Sequence, residues 1–238
     1  MDDSGLAALP PDLEGARAGF WIAVDKPLGW TSFDVVAKVR NALKRRYGTR
    51  IKIGHAGTLD PLATGMLVLA VGRKTKDIES VMAGSKAYVA TIRLGSQTDS
   101  YDSETPEHPS AVPVPELNAE LAARLQAKFT GMVMQVPPLY SALKVDGQRA
   151  YSLARKGETR QLEARPVQID SLELRSIDPQ TWEALVRCGK GTYIRSLAHD
   201  LGQELGCGAY LKSLHRTEVA PFVAMVSMDA VLAEIQSS

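Results

Sequence analysis

The sequence of 238 residues contains only two cysteines and almost no net charge. Cys188 and Cys207 show no metal-ligand spacing and fit reduced thiols in a cytosolic protein. A formal net charge of +1 does not by itself predict a nucleic-acid partner. No apolar run approaches the length of a membrane span, and the acidic start lacks the pattern of a signal peptide. We therefore expect a cytoplasmic protein without membrane association.

The sequence also lacks the motifs of several common site classes. Gly54, Gly57 and Gly65 are not followed by Gly-Lys-Ser/Thr, which argues against a phosphate-binding loop. The four histidines show no paired ligand spacing, so no metal site is predicted. No serine stands in a nucleophile-elbow context, although a Ser–His–Asp triad stays open on sequence alone.

Strand-like and helical segments follow each other irregularly along the chain. Thr31 and Asp34 have capping-box spacing, and the apolar residues after them predict a helix from about Ser32 to Arg46. Strands outnumber helices without regular alternation, which predicts an α+β fold rather than a doubly wound sheet. Further helices are predicted after Pro115 and at 148–157, 191–206 and 228–236. Strands or extended segments are predicted at 20–27, 66–71, 86–95, 132–147, 167–177, 182–188 and 209–222.

No internal repeat or clear linker divides the chain. Residues 1–19 resemble a loosely ordered leader, and the polar, proline-rich stretch 96–115 predicts an exposed loop. We expect one domain over residues 20–225 and a short C-terminal helix within 226–238.

Basic residues gather in three regions, while acids gather elsewhere. Such sorting can present a basic face to a phosphate backbone, although each cluster alone is also typical of a solvated helix face. The clusters are Arg40, Lys44, Arg45, Arg46, Arg50 and Lys52; Arg187, Lys190, Arg195, Lys212, His215 and Arg216; and Lys144, Arg149, Arg155 and Lys156.

Asp60 is the only acid in the stretch "GHAGTLDPLATGML", residues 54–67. Asp before Pro is a good turn former, so Asp60 could simply begin a turn. A carboxylate held on a Gly-rich loop before a buried strand can instead act as a nucleophile, provided that a cation keeps it ionised. Arg195, at the start of a predicted helix, is a plausible cation.

Five blocks in one order resemble the TruB family of tRNA pseudouridine synthases. The block around Asp60, "GHAGTLDPLATGMLVLAVGRKTK", is similar to the family's catalytic motif. The block "DKPLGWTSFDVV" resembles its N-terminal block, and "KAYVATIRLGSQTDSYD" resembles the segment that carries its tyrosine. The block "VPPLYSALKVDGQRAYSLARKG" resembles its RNA-clasping insertion, and "CGKGTYIRSLAHDLGQELGCGAYLKSLHRT" resembles its arginine motif.

The resemblance implies a role for eight residues. Asp60 takes the position of the catalytic aspartate, Tyr88 that of a tyrosine that stacks on the target base, and Arg195 that of the arginine that pairs with the aspartate. The implied substrate contacts are His55, which helps to hold the flipped RNA loop, Tyr193 and Leu214 in the pocket, and Lys26 and Lys144 in roles less defined. Each could instead be an ordinary structural residue, such as a half-buried aromatic or a core leucine.

The resemblance also implies fold and reaction. It implies the pseudouridine synthase fold, with a mixed, largely antiparallel central sheet, flanking helices and an RNA-binding insertion at about 136–165. The implied reaction isomerises uridine 55 in the T arm of tRNA after the uridine leaves its stack. Nothing is oxidised and nothing leaves, so neither metal nor redox cofactor is expected. We expect tRNA as the partner, no obligate protein partner, and a monomer.

Two departures from the family pattern are visible. Bacterial relatives usually continue into a small RNA-binding domain of the PUA type, and residues 226–238 are too few to form it. His215 stands where an arginine is common, so that a phosphate contact there would be weaker at neutral pH.

Two other function classes remain as alternatives. A non-catalytic tRNA-binding or RNA-folding module on the same scaffold would predict loss of Asp60 or Arg195, and both are present. An aspartate-dependent nucleosidase or glycosidase would favour a second carboxylate close to Asp60, and none is near in sequence.

Overall fold

The computed structural model describes residues 9–140, 144–145, 148–149 and 162–237. The chain forms two compact units. Unit 1 comprises the residues up to Tyr88 together with those from Leu214 onward, and unit 2 comprises Val89–Ser213.

Unit 1 contains a mixed sheet built around one long buried strand. In the strand order β13-β1-β3-β12, the central strand β3 pairs antiparallel with β1 and with the short β2, and parallel with β12. Met66 to Val71 are buried, as expected for the predicted apolar strand. The strands are β1 (Trp21–Lys26), β2 (Ile53–His55), β3 (Ala63–Val71), β12 (Ala209–Val219) and β13 (Val226–Ser227), and β12 belongs to this unit from Leu214 onward.

The predicted capping box starts the main helix of unit 1. The Thr31 hydroxyl accepts from the Asp34 N–H at 3.1 Å, and the Asp34 carboxylate accepts from the Thr31 N–H at 2.9 Å. The helix ends at Gly48, whose φ of 69° is left-handed. The helices of this unit are α1 (Leu13–Ala18), α2 (Ser32–Tyr47), α3 (Ile78–Ala83) and α6 (Met228–Ser237), with a 3-10 turn at Gly72–Lys76.

The prediction of a loosely ordered leader is wrong for residues 9–19. Asp12 caps α1 by accepting from the Gly15 N–H at 2.8 Å, and Ala16 and Leu9 pack into the hydrophobic core. The polar composition of this stretch suggested disorder. The side-chain cap of Asp12 and the burial of Leu9 and Ala16 nevertheless order it. Residues 1–8 lie outside the described residues.

Unit 2 contains a second series of paired strands. The order is β4-β11-β10-β7, in which β10 pairs antiparallel with both β11 and β7. These strands are β4 (Lys86–Leu94), β7 (Gly131–Gln135), β10 (Arg165–Asp178) and β11 (Thr181–Cys188), and β4 belongs to this unit from Val89 onward. Two short ladders join β5 (Ser96–Gln97) to β6 (His108–Pro109) and β8 (Lys144–Val145) to β9 (Gln148–Arg149).

Two helices accompany the strands of unit 2, α4 (Ala119–Phe129) and α5 (Ile194–Leu205). Helix α4 begins later than predicted, because Asn118 caps it by accepting from the Leu121 N–H at 2.8 Å. Helix α5 agrees with the prediction. The helix predicted at 148–157 falls mostly outside the described residues.

The stretch 96–115 is not simply an exposed loop. Ser96, Thr98, Ser100 and Asp102 are all buried. Internal hydrogen bonds make this burial tolerable, since Ser100 Oγ donates to Asp102 Oδ1 at 2.6 Å and Thr98 Oγ1 donates to the Asp102 carbonyl at 2.7 Å. The prediction is wrong for the first part of this stretch.

The two units together confirm the predicted α+β class with mixed, largely antiparallel strand pairing. Among the described residues, no helix is both long and apolar enough to cross a membrane.

Candidate active site

The loop that carries Asp60 is fixed on both sides of the acid. Before it, Ser32 Oγ donates to the Leu59 carbonyl at 3.0 Å and accepts from the Leu59 N–H at 2.9 Å. After it, the Pro61 carbonyl accepts from the Gly29 N–H at 2.8 Å. The Asp60 carbonyl closes a turn with the Ala63 N–H at 3.1 Å, while the residue itself is only half-buried. Asp60 therefore forms a turn, as one interpretation predicted, and is also a half-buried acid on a loop that hydrogen bonds hold on both sides.

The fully buried ammonium group of Lys26 contacts this loop from the protein interior. Its side chain has zero exposure, and Nζ donates to the carbonyls of Trp30 at 2.7 Å, Pro27 at 3.0 Å and Pro61 at 3.4 Å. Burial lowers the pKa of Lys26 to about 8, although attraction to the Asp60 and Asp25 carboxylates opposes this shift. The Lys26 ammonium is thus close enough to Asp60 to favour its ionised form, a role that the sequence left undefined.

Burial of Lys26 predicts an alkaline dependence of stability. Its pKa of about 8 in the folded protein lies below the ordinary value of 10.5, so the unfolded chain binds this proton more tightly. The free energy of unfolding should therefore rise as pH increases from about 8 to 10.5, by up to about 3 kcal/mol from this group.

Urea unfolding at pH 7.5, 9 and 10 measures this rise. Lys26→Met should remove it, whereas Lys38→Met, at an exposed position on α2, should leave it unchanged. An identical pH slope in the wild type and Lys26→Met would show that Lys26 does not titrate in this way.

Arg216 on β12 is a second buried cation beneath the same loop. It is 2% exposed, and Nε donates to the Met66 carbonyl at 2.7 Å while Nη2 donates to the Gly57 carbonyl at 3.0 Å. Gly65 has a φ of 95°, and a Cβ there would collide with the Arg216 backbone. Gly65 therefore allows the close approach of the Arg216 backbone to the start of β3.

His55 and Leu214 flank this arrangement within unit 1. Burial first, and then the Arg216 charge, lower the pKa of His55, so that its ring is neutral at physiological pH. Leu214 is half-buried on β12 and pairs with Ala63 at the start of β3. Next to it, His215 Nδ1 lies 2.9 Å from Thr64 Oγ1.

Arg195 lies in the first turn of α5 in unit 2 and is 5% exposed. Its guanidinium donates to the carbonyls of Ser100 at 3.2 Å and Tyr140 at 2.9 Å, and Nη1 is 3.4 Å from Asp102 Oδ2. Asp102 Oδ1 accepts from the Glu104 N–H at 2.9 Å. Carbonyls and one carboxylate therefore fix the direction of the arginine fork.

The remaining predicted residues are placed as follows. Tyr193 immediately precedes α5, and Gln135 clamps its backbone by accepting from its N–H at 2.8 Å and donating to its carbonyl at 3.0 Å. Tyr88 is half-buried on β4. Lys144 lies on β8, opposite Arg149.

A small cleft adjoins Tyr193 in unit 2. Its volume is about 160 Å³, and its lining includes Gln135, Arg165, Lys190 and Tyr193. Arg165 and Lys190 are exposed, so this wall of the cleft attracts anions.

Burial corrects the interpretation of one basic cluster. Arg195 and Arg216 belong to the second cluster, yet both are buried and bind backbone carbonyls. They do not contribute to a solvated basic face.

Ser32, Asp102 and Gln135 had no predicted site role, and Arg216 was predicted only as part of a basic cluster. Each acts through a partner far along the chain, such as Ser32 on Leu59 and Arg216 on Met66. The sequence offered one signal for the buried position of Arg216, since this charged residue lies within a segment that is predicted to be extended. Within the described part of the chain, no group of three or more His, Cys, Asp or Glu side chains could hold a metal ion.

Family comparisons cover nearly all of the chain. Residues 44–194 match the TruB family pseudouridylate synthase (N terminal domain), and residues 195–237 match the tRNA pseudouridylate synthase B C-terminal domain. A protein of Chlorobaculum tepidum called tRNA pseudouridine synthase B is 46% identical over 223 residues, which is 92% of each chain. A protein of Bacteroides thetaiotaomicron with the same description is 50% identical over 208 residues, covering 85% of this chain and 86% of its own.

Solved structures share the fold. A chain in the crystal structure of a Cbf5-Nop10-Gar1 complex superposes with a TM-score of 0.69 at 27% identity, over 92% of this chain and 54% of that one. A chain in the structure of an H/ACA RNP bound to a substrate RNA containing 2'-deoxyuridine gives a TM-score of 0.67 at 24% identity, over 98% of this chain and 58% of that one. The present chain thus spans little more than half of either chain, and the predicted pseudouridine synthase fold is confirmed.

One assignment follows from these observations. Two family domains match in succession, the relatives align over most of their own length, and the chain holds an acid on a loop fixed by hydrogen bonds. The chain belongs to the TruB family of pseudouridylate synthases, enzymes that isomerise uridine to pseudouridine.

Proposed function

We propose that this chain isomerises uridine 55 in the T arm of tRNA to pseudouridine, with Asp60 as the nucleophile. The observation that carries this proposal is the Asp60 loop, in which Leu59 and Pro61 are both fixed by hydrogen bonds. The Lys26 ammonium next to Asp60 supports an ionised carboxylate. The name tRNA pseudouridine synthase B of the relatives supports tRNA as the substrate.

The reaction needs a nucleophile and a position for the detached base. The bond from the ribose to the base nitrogen breaks, the uracil turns, and a carbon of the uracil bonds to the same ribose carbon. That uracil carbon loses its proton and the freed ring nitrogen gains one, so the product is an isomer of the substrate. Asp60 attacks either the ribose or the base ring, and both routes are compatible with its half-exposed position. The uridine must first leave its stack, at a cost of a few kcal/mol.

In this proposal, Arg195 pairs with Asp60 and Tyr88 stacks on the uracil. The support for Arg195 is its preset geometry, since two carbonyls and Asp102 fix its fork within unit 2. His55, Tyr193 and Leu214 contribute to the pocket, and Lys26 supports the Asp60 loop from the protein interior. Lys144 belongs to the insertion at about 136–165 that grips the RNA. Much of this insertion lies outside the described residues.

The RNA partner is bound chiefly through shape and backbone. The cleft beside Tyr193 supports this expectation, because Arg165 and Lys190 line it. We propose that the protein acts in the cytoplasm as a monomer without an obligate protein partner, and without a metal or redox cofactor.

An assay with a T-arm stem-loop tests the proposal. Nucleoside analysis after incubation should show pseudouridine at the position of uridine 55 and no free uracil. A stem-loop with cytidine at that position is the matched control and should stay unchanged. Free uracil would indicate a nucleosidase, and tight binding without product would indicate a non-catalytic RNA-binding module.

A further inference from the structure

Tyr101 and His199 form a ring stack that the proposed reaction does not use. Their ring centroids are 3.8 Å apart, with 13° between the ring planes. Tyr101 belongs to the stretch 98–105, and His199 belongs to α5. Both residues are half-buried within unit 2.

The stack lies one helical turn from Arg195. His199 follows Arg195 by four positions on α5, so both side chains lie on the same face of the helix. Tyr101 directly precedes Asp102, whose carboxylate contacts Arg195 at 3.4 Å. The consecutive residues Tyr101 and Asp102 therefore contact α5 one turn apart, Tyr101 at His199 and Asp102 at Arg195.

The backbone at Tyr101 is in an unfavourable conformation. Its φ of 62° is left-handed, which is uncommon for a residue other than glycine and least favourable for bulky side chains. The Tyr101 N–H donates to the Thr98 carbonyl at 3.2 Å, and its carbonyl accepts from the Leu211 N–H at 2.9 Å. A residue held in such a conformation needs support from its surroundings, and the ring stack supplies a contact for this purpose.

Burial of the stack favours two neutral rings. Burial lowers the pKa of His199, while burial and the nearby Asp200 raise the pKa of Tyr101. Burial also raises the pKa of Asp200 to about 6. Within the described part of the chain, the buried Nδ1 of His199 has no hydrogen-bond partner, and the flat face of the ring contacts Tyr101.

We propose that Tyr101 and His199 are positioning residues for Arg195. By holding the loop against α5, the stack sets the Asp102 carboxylate beside the guanidinium and fixes the direction of the fork. This inference rests on the proposed role of Arg195 in pseudouridine formation. It assigns no contact between the stack and the RNA.

His199→Ala tests the proposal in a kinetic assay on the T-arm stem-loop. We expect kcat to fall about 10-fold or more while KM changes less than about twofold, because the variant misplaces Arg195 without removing an RNA contact. His199→Phe keeps a flat ring and should recover kcat to within about threefold of the wild type. His199→Leu keeps apolar volume without an aromatic ring, and its kcat should stay as low as that of His199→Ala.

Two further variants separate positioning from general weakening of α5. Arg124→Ala removes an ion pair to Glu204 at the other end of α5 and should leave kcat within about twofold. In an Asp102→Asn background, His199→Ala should cause little further loss, since both act through the same contact.

Several results would overturn the inference. They are an unchanged kcat in folded His199→Ala, a rise in KM alone, a His199→Phe variant as slow as His199→Leu, or additive losses with Asp102→Asn. If His199→Ala does not fold, the comparison of the Phe and Leu variants decides. A wild type that makes no pseudouridine would instead refute the proposed function, whatever these variants do.

Discussion

Asp60→Asn should lower pseudouridine formation by about 10³-fold or more, while the Kd for the T-arm stem-loop changes less than about twofold. The amide has nearly the shape of the carboxylate but is not a nucleophile. The loop should keep its conformation, because its hydrogen bonds through Leu59, Pro61 and the Asp60 carbonyl do not use the Asp60 carboxylate. Loss of turnover with intact binding therefore isolates the chemical role of the acid.

Single-turnover kinetics and a filter-binding titration on the same RNA measure the two quantities. Asp34→Asn is the matched control, because it removes a carboxylate from the capping box of α2. It should keep turnover and lower the free energy of unfolding only slightly. Retained turnover in Asp60→Asn would refute the assignment of the nucleophile.

Arg216→Met should lower the free energy of unfolding by about 3 kcal/mol or more. The substitution fills a similar volume but leaves the Met66 and Gly57 carbonyls, both bonded to the guanidinium, without their donors. Because Gly57 belongs to the Asp60 loop, we also expect turnover to fall in the fraction that remains folded.

Urea unfolding measures the first effect, and kinetics below the unfolding transition measure the second. Arg124→Ala, which removes an exposed arginine from an ion pair with Glu204, should change the free energy of unfolding by less than about 1 kcal/mol. Equal midpoints for Arg216→Met and Arg124→Ala would show that burial of Arg216 does not stabilise the fold.

Local patterns predicted the elements that depend on local chemistry. The capping box at Thr31 and Asp34 gave the start of α2, and the apolar run after Asp60 gave most of β3. Both depend on residues within a few positions of each other. For the same reason, Asn118 could have marked the start of α4, since its side chain accepts from Leu121 only three residues on.

The hydrogen bonds that hold the Asp60 loop could not be predicted from local sequence patterns. Ser32 and Leu59 are 27 positions apart, and Arg216 and Met66 are 150 positions apart. The polar composition of the stretch containing Ser100 and Asp102 predicted an exposed loop, and this was wrong. Polar residues can be buried when they form hydrogen bonds with each other, as these two do. The placements of Lys26 and Arg216 thus follow from tertiary packing rather than from periodicity.

The double contact of Ser32 with Leu59 has a consequence for how the energy of RNA association is used. Since the segment around the acid is already ordered in the free protein, docking of a nucleic acid need not supply the entropy to arrange it. Favourable contacts with the RNA can then serve to extract the uridine from its neighbours. The ordering of the Asp60 loop is completed once, when the polypeptide folds, and need not be repeated in each catalytic cycle.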